Sequence, residues 1–193
     1  MNAPSNIAFS GGFENVPVAS SHAFRAAMVA MARPGQVQDI SGAQAPGPLS
    51  DAAATLLMTL CDPETSIYLA ADVDTPELRD WLTFHTGAPF VEAGQADFAV
   101  GGWDALMPLH QFKIGTAEYP DRSATLIVER AELSNAGATL RGPGIKDTAQ
   151  FDLPDVGMLQ GNAALFPLGV DFFFTSGTRV AALPRSTQLS MEG

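Results

Sequence analysis

The chain has 193 residues, enough for one domain that buries roughly 70% of the surface its unfolded form exposes without help from a disulfide or a metal. Its 21 Asp and Glu against 10 Lys and Arg give a formal charge of −11, which repels phosphate backbones and argues against DNA or RNA as a partner. With no apolar run near the roughly 18 residues of a membrane span and no basic, apolar leader at the start, the expectation is a soluble, cytoplasmic protein that binds no membrane.

Residues 1–19 carry Pro4, Pro17 and a glycine pair and read as an extended arm ahead of a single domain over residues 20–193. Ser20 or Ser21 then offers a helix cap, and Phe24, Ala27, Met28 and Met31 recur at the spacing of an amphipathic helix, with the two methionines as plain core. Pro34-Gly35 stops it. Arg25 falls in the first turn of that helix, where a cation is disfavoured by about 0.3–1 kcal/mol, so an acidic partner or an anion is expected beside it.

Ser50 caps a second helix over 51–61 with Leu56, Leu57 and Leu60 inward, and Cys61 reads as a small core residue rather than a nucleophile. The lone cysteine can form no internal bridge, which suits a reducing compartment. Residues 66–71 read as a strand. Thr75-Pro76-Glu77 combines a cap, a proline at the first helical position and an acid in the first turn, and Gly87 fits the other end. His85 continues the stripe of Leu78, Trp81 and Leu82 toward core or interface, and its place at a helix C-terminus favours the charged imidazole.

Short strands follow at 90–91 and 97–100, then a brief helix near 104–109. Residues 124–131 read as a strand that pairs with 138–142 across the Ser134-Asn135-Ala136-Gly137 turn. Residues 155–165 form a helix weakened by Gly157 and Gly161. The chain closes on a hairpin, 170–175 and 180–183, around Ser176-Gly177-Thr178. The unbroken Phe172-Phe173-Phe174 run requires cover on both faces of its strand. Arg141 and Arg185 lie at predicted strand ends. Together these elements predict a single α/β domain, a mixed sheet with helices on both faces.

No strong catalytic motif is present. The P-loop, G-x-S-x-G, H-E-x-x-H and C-x-x-C patterns are absent, and Gly101-Gly102-Trp103 and Gly142-Pro143-Gly144 read as turns. A zinc site would need His22, His85 and His110 to converge from three distant elements. A pyridoxal phosphate Schiff base has only Lys113 and Lys146 to choose from, both in polar, turn-prone contexts. The expectation is therefore no metal, no cofactor and no catalytic group, with Arg25, His85, Arg141 and Arg185 as candidates for a ligand or an interface. Only 16% of the residues are charged, against about 25% in an average soluble protein, which suits a surface partly covered by partners.

Several motifs in order carry a resemblance. Phe24-Arg25 through Met31 to Pro34-Gly35 follows an F-R-x-x-x-x-x-M-x-x-P-G pattern, and 84–89 is the segment F-H-T-G-A-P. Gly115-Thr116-Ala117, 124–127, Arg141-Gly142-Pro143-Gly144-Ile145, 166–171 and Leu183-Pro184-Arg185-Ser186-Thr187 complete the set. Over residues 21–189 the chain resembles the PhnH family, the H subunit of the bacterial carbon–phosphorus lyase system. The loop at 41–48 and residues 111–114 follow no family pattern.

The resemblance implies an accessory subunit in phosphonate catabolism. The complex displaces adenine from ATP with an alkylphosphonate, giving alpha-D-ribose 1-methylphosphonate 5-triphosphate when the phosphonate is methylphosphonate. A separate radical S-adenosylmethionine subunit later cleaves the carbon–phosphorus bond. The resemblance also implies a reduced pyridoxal-phosphate-transferase-like fold without that cofactor, a homodimer when alone, and association with the G, I and J subunits. It carries over no active-site residue. A second reading is an enzyme that binds a nucleotide or phosphonate at its own site, built from His85 and nearby arginines.

Overall fold

A continuous apolar run such as Leu126-Ile127-Val128 is stable in a sheet only when both faces are covered. In the computed structural model, which describes residues 6–191, that run is the middle of an inner strand of a six-stranded sheet. In chain order the strands of this main sheet are β1 (Gln38–Asp39), β2 (Ile67–Leu69), β3 (Phe98–Gly102) and β4 (Thr125–Glu129), then β7 (Asp171–Ser176) and β8 (Arg179–Leu183). Between them and after them, β5 (Ala138–Arg141), β6 (Ala149–Phe151) and β9 (Gln188–Ser190) form a small antiparallel sheet, order β6-β5-β9. The main sheet has the order β1-β8-β7-β4-β3-β2. Strands β2, β3, β4 and β7 run parallel, while β8 returns antiparallel along β7 and pairs antiparallel with β1. The chain is an α/β domain with a mixed sheet.

Alternation along the strands divides the core into two layers. Ile127, Phe173, Val180 and Ala182 join the cluster formed with α1 (Val16–Ala32), α2 (Asp51–Leu60) and α3 (Pro76–Thr86). Leu126, Val128, Phe172 and Phe174 join the other, where Leu159 of α4 (Val156–Ala163) meets Leu140 and Phe151 of the small sheet. The three consecutive phenylalanines are all buried, as their lack of alternation required. Cys61 is buried in the first layer, and burial pushes its thiol up, so it is inert core.

Where caps and turns are local, the expected elements form. Ser50 accepts from the Ala53 N–H at 3.2 Å, Thr75 accepts from the Leu78 N–H at 3.2 Å, and Gly87 closes α3 at φ 67°. In the final hairpin Ser176 faces Arg179, and Gly177 takes φ 57°.

Three expectations are corrected. Residues 138–142 do not pair with 124–131: β3 and β7 occupy both edges of β4, and β5 pairs with β6 and β9. The interior of β4 is buried throughout and needs buried neighbours, whereas β5 alternates and ends on exposed Arg141, which suits a sheet with one open face. Gly101 and Gly102 end β3 rather than forming a turn, and a Cβ at Gly101 would stand 2.5 Å from the Ala70 Cβ. Finally, α1 starts at Val16, where Asn15 accepts from the Val18 N–H at 3.4 Å and Pro17 suits the first turn.

Of the arm expected over 1–19, residues 1–5 lie outside the described residues, Asn6–Phe9 form a 3-10 turn, and 16–19 belong to α1. The brief helix near 104–109 resolves into 3-10 turns at Asp104–Leu106 and Leu109–Gln111.

Candidate functional site

The first helix turns the wrong way for its hydrophobic pattern. Ala23, Ala27 and Ala30 are buried where α1 meets α2 and β8, while Phe24 and Met28 are 50% and 52% exposed. Small alanines let the helix lie close to its neighbours, and that close approach turns the larger apolar side chains to the outside. Phe24, Arg25 and Met28 share this outer face at positions i, i+1 and i+4. Arg25 is thus in mid-helix, not in the first turn. It is exposed and has no ion pair, so the expected acidic partner is not found among the described residues. Residues 16–32 contain no acid at all.

His85 sits under the N-terminal segment. Its ring lies 4.7 Å from Trp81 and 4.9 Å from Phe84, and Phe84 in turn lies 4.8 Å from Phe9, all centroid to centroid. Trp81 Nε1 donates to the Ser10 carbonyl at 2.8 Å. A Cβ at Gly12 would stand 2.6 Å from His85 Cε1, so only glycine allows this approach. Burial lowers the imidazole's pKa, opposed in part by backbone groups of Ser10 and Ala8. The neutral form is favoured, contrary to the expectation from the helix terminus. The adjoining cleft of 380 Å³ is lined by Phe9, Phe13, Val16, Met58 and Phe84 beside glycines 11 and 12 and His85. No arginine lines it.

Arg185 is engaged elsewhere. Its backbone N–H and Nε donate to Asp171 Oδ1 at 2.8 and 3.1 Å, and Nη2 donates to Asp171 Oδ2 at 2.5 Å. Nη1 donates to the Pro120 carbonyl at 2.8 Å, and Nη2 also reaches the Ser123 hydroxyl. Arg141 is exposed at the end of β5, opposite Gln188, and Gly142 packs against the Ser186 carbonyl. The fold therefore brings the Arg141 and Arg185 segments together. Arg25 lies on α1 and His85 on α3, in separate elements. Lys113 pairs with Asp97.

One titratable group has no counterpart in the sequence reading. Glu129 ends β4 at the carboxyl edge of the parallel strands, where α/β folds place ligands. Burial raises its pKa, opposed by hydrogen bonds from Ser50 and Thr175, and the charge of Asp72 raises it further. Its Oε1 accepts from the Ser50 N–H at 2.8 Å and the Ser50 hydroxyl at 3.0 Å, so it fixes the cap at the start of α2. Asp72 beside it accepts from the Gly102 N–H at 2.8 Å. A groove of 680 Å³ lies instead between the start of α1 and the 41–44 loop, with Glu14, His22, Gln44 and Asp51 on its wall. None of the four predicted residues lines it.

Comparison with known proteins decides the family. The model of the bacterial phosphonate metabolism protein PhnH matches residues 11–190. The chain belongs to the PhnH family. Across 201 aligned residues, covering 100% of both chains, it is 38% identical to the alpha-D-ribose 1-methylphosphonate 5-triphosphate synthase subunit PhnH of Rhizobium meliloti (strain 1021). A protein named as a candidate C–P lyase subunit, HtxG, from Stutzerimonas stutzeri is 31% identical over 182 residues, covering 89% of this chain and 86% of the relative. No helix among the described residues is long and apolar enough to cross a membrane.

Proposed function

We propose that this chain is an accessory subunit of the carbon–phosphorus lyase complex, supporting synthesis of alpha-D-ribose 1-methylphosphonate 5-triphosphate from ATP and an alkylphosphonate in the cytoplasm. The observation that carries this reading is the end-to-end, 38% identity to a relative named as a subunit of that synthase. The residues that sequence singled out support it: Arg185 is spent on Asp171, His85 on holding the N-terminal segment, and Arg25 and Arg141 point outward. Its partners are the G, I and J subunits, and it forms a homodimer when alone. Its sheet is a reduced relative of the pyridoxal-phosphate transferases, in which neither lysine serves a cofactor.

The test is reconstitution. The G, I and J subunits, given ATP and methylphosphonate, should form the triphosphate product well only when this chain is added. Unchanged product formation without it contradicts the proposal. So does saturable binding of ATP or methylphosphonate to the isolated chain that His85→Ala abolishes, since that outcome belongs to an enzyme with its own site.

A further inference from the structure

We infer that the outer face of α1, Phe24, Arg25 and Met28, is the element that docks on a sister subunit, and that the surface it meets is an apolar groove edged with carboxylates. This inference rests on the accessory-subunit reading above. Phe24 and Met28 lie one turn apart and about half exposed, and the domain core uses the alanine stripe of the same helix instead. A helix presenting anchors at i and i+4 fits the helix-in-groove mode of recognition.

Charge selects the partner. Arg25 stands between the two anchors with no carboxylate within ion-pair distance among the described residues, although the chain carries 21 acids against 10 bases. The other arginines paired with acids here, Arg79, Arg130 and Arg185, are matched on their own chain. Packing α1 against α1 of a second copy would set Arg25 against a helix without a single acid, so that symmetric contact leaves the cation unmatched. A sister subunit that offers carboxylates around an apolar groove satisfies both the anchors and the cation.

The experiment co-expresses the tagged full-length chain with the G, I and J subunits and weighs what the tag retains. Two variants are compared with the unaltered chain: the double replacement Phe24→Ser with Met28→Ser, and Arg25→Glu alone. Both should keep the wild-type circular dichroism and melting temperature, because the side chains lie outside the core. Retention of the sister subunits should fall about tenfold or more in each, as for anchor residues at other interfaces, while Arg25→Lys retains most of it.

Wild-type retention by both variants overturns the inference and leaves the accessory reading intact. Unchanged retention with loss of self-association in the isolated chain also overturns it, assigning the face to a second copy. If the unaltered chain retains none of the sister subunits, the accessory reading itself fails and the inference with it. If the double variant unfolds, the Arg25→Glu result decides.

Discussion

Asp171 and Arg185 lock the start of β7 to the segment after β8 through three donors, two of them on the guanidinium. The side chains are only 22% and 12% exposed, and the same guanidinium reaches back to Pro120 and Ser123 ahead of β4. Removing the arginine would leave a largely buried carboxylate without its cation. Arg185→Ala should therefore cost about 2–4 kcal/mol of folding stability. Arg185→Lys should restore only part of it, because an ammonium cannot fork between Asp171 and Ser123. Urea unfolding midpoints measure this, and an alanine variant of wild-type stability would return Arg185 to the list of ligand contacts.

The packing of Gly12 on His85 makes the N-terminal segment sensitive to acid. Burial lowers the folded imidazole's pKa, so folding favours the neutral ring. Above the ordinary value of about 6.5 both folded and opened segments are neutral and nothing is lost. Below it the opened segment takes up the proton first, and the packed one loses stability until the folded imidazole also titrates. Hydrogen exchange of residues 8–13 should quicken as pH falls from 7 to 5, and His85→Asn should abolish that pH dependence. Gly12→Ala should quicken exchange at every pH, since its Cβ would meet Cε1 at 2.6 Å.

Glu129 should show the opposite sense. Its folded pKa is raised by burial, so the protonated carboxyl is the form that folding favours. That contribution is fully present below the ordinary glutamate range and is lost as pH rises through the folded value. Glu129→Gln keeps an acceptor for the Ser50 N–H and hydroxyl while removing the charge. The variant should be at least as stable as the parent at pH 7 and should lose the decline in stability above the glutamate range. A strong destabilisation at pH 7 in chemical unfolding would show instead that Ser50 needs the full carboxylate.

How much of this was legible in the sequence follows the range of each interaction. Helix α3 was readable because Thr75, Pro76, Glu77 and Gly87 act within a turn of where they stand, and Ser50 and Gly177 are similarly local. The partner of β4 was not, because β7 reaches it only after β5, β6 and α4 have intervened. The clamp on Arg185 joins residues 14, 62 and 65 positions away, beyond any local pattern.

The face of α1 was misread for a different reason. Hydrophobicity ranks Phe24 and Met28 above Ala23, Ala27 and Ala30, yet the alanines are the buried set. Their i, i+4, i+7 spacing was visible, and close helix packing on α2 and β8 is what selects it. The family, by contrast, was legible from short motifs spread along the chain, and the match over residues 11–190 confirms it.

The central claim, that this chain acts by joining its sister subunits, is tested most directly by native mass spectrometry of the tagged chain purified from cells co-expressing the G, I and J subunits. The account predicts an assembly whose mass contains this chain together with sister subunits at fixed stoichiometry. Recovery of the chain only as its own monomer or homodimer, with the sister subunits assembled without it, would contradict the account.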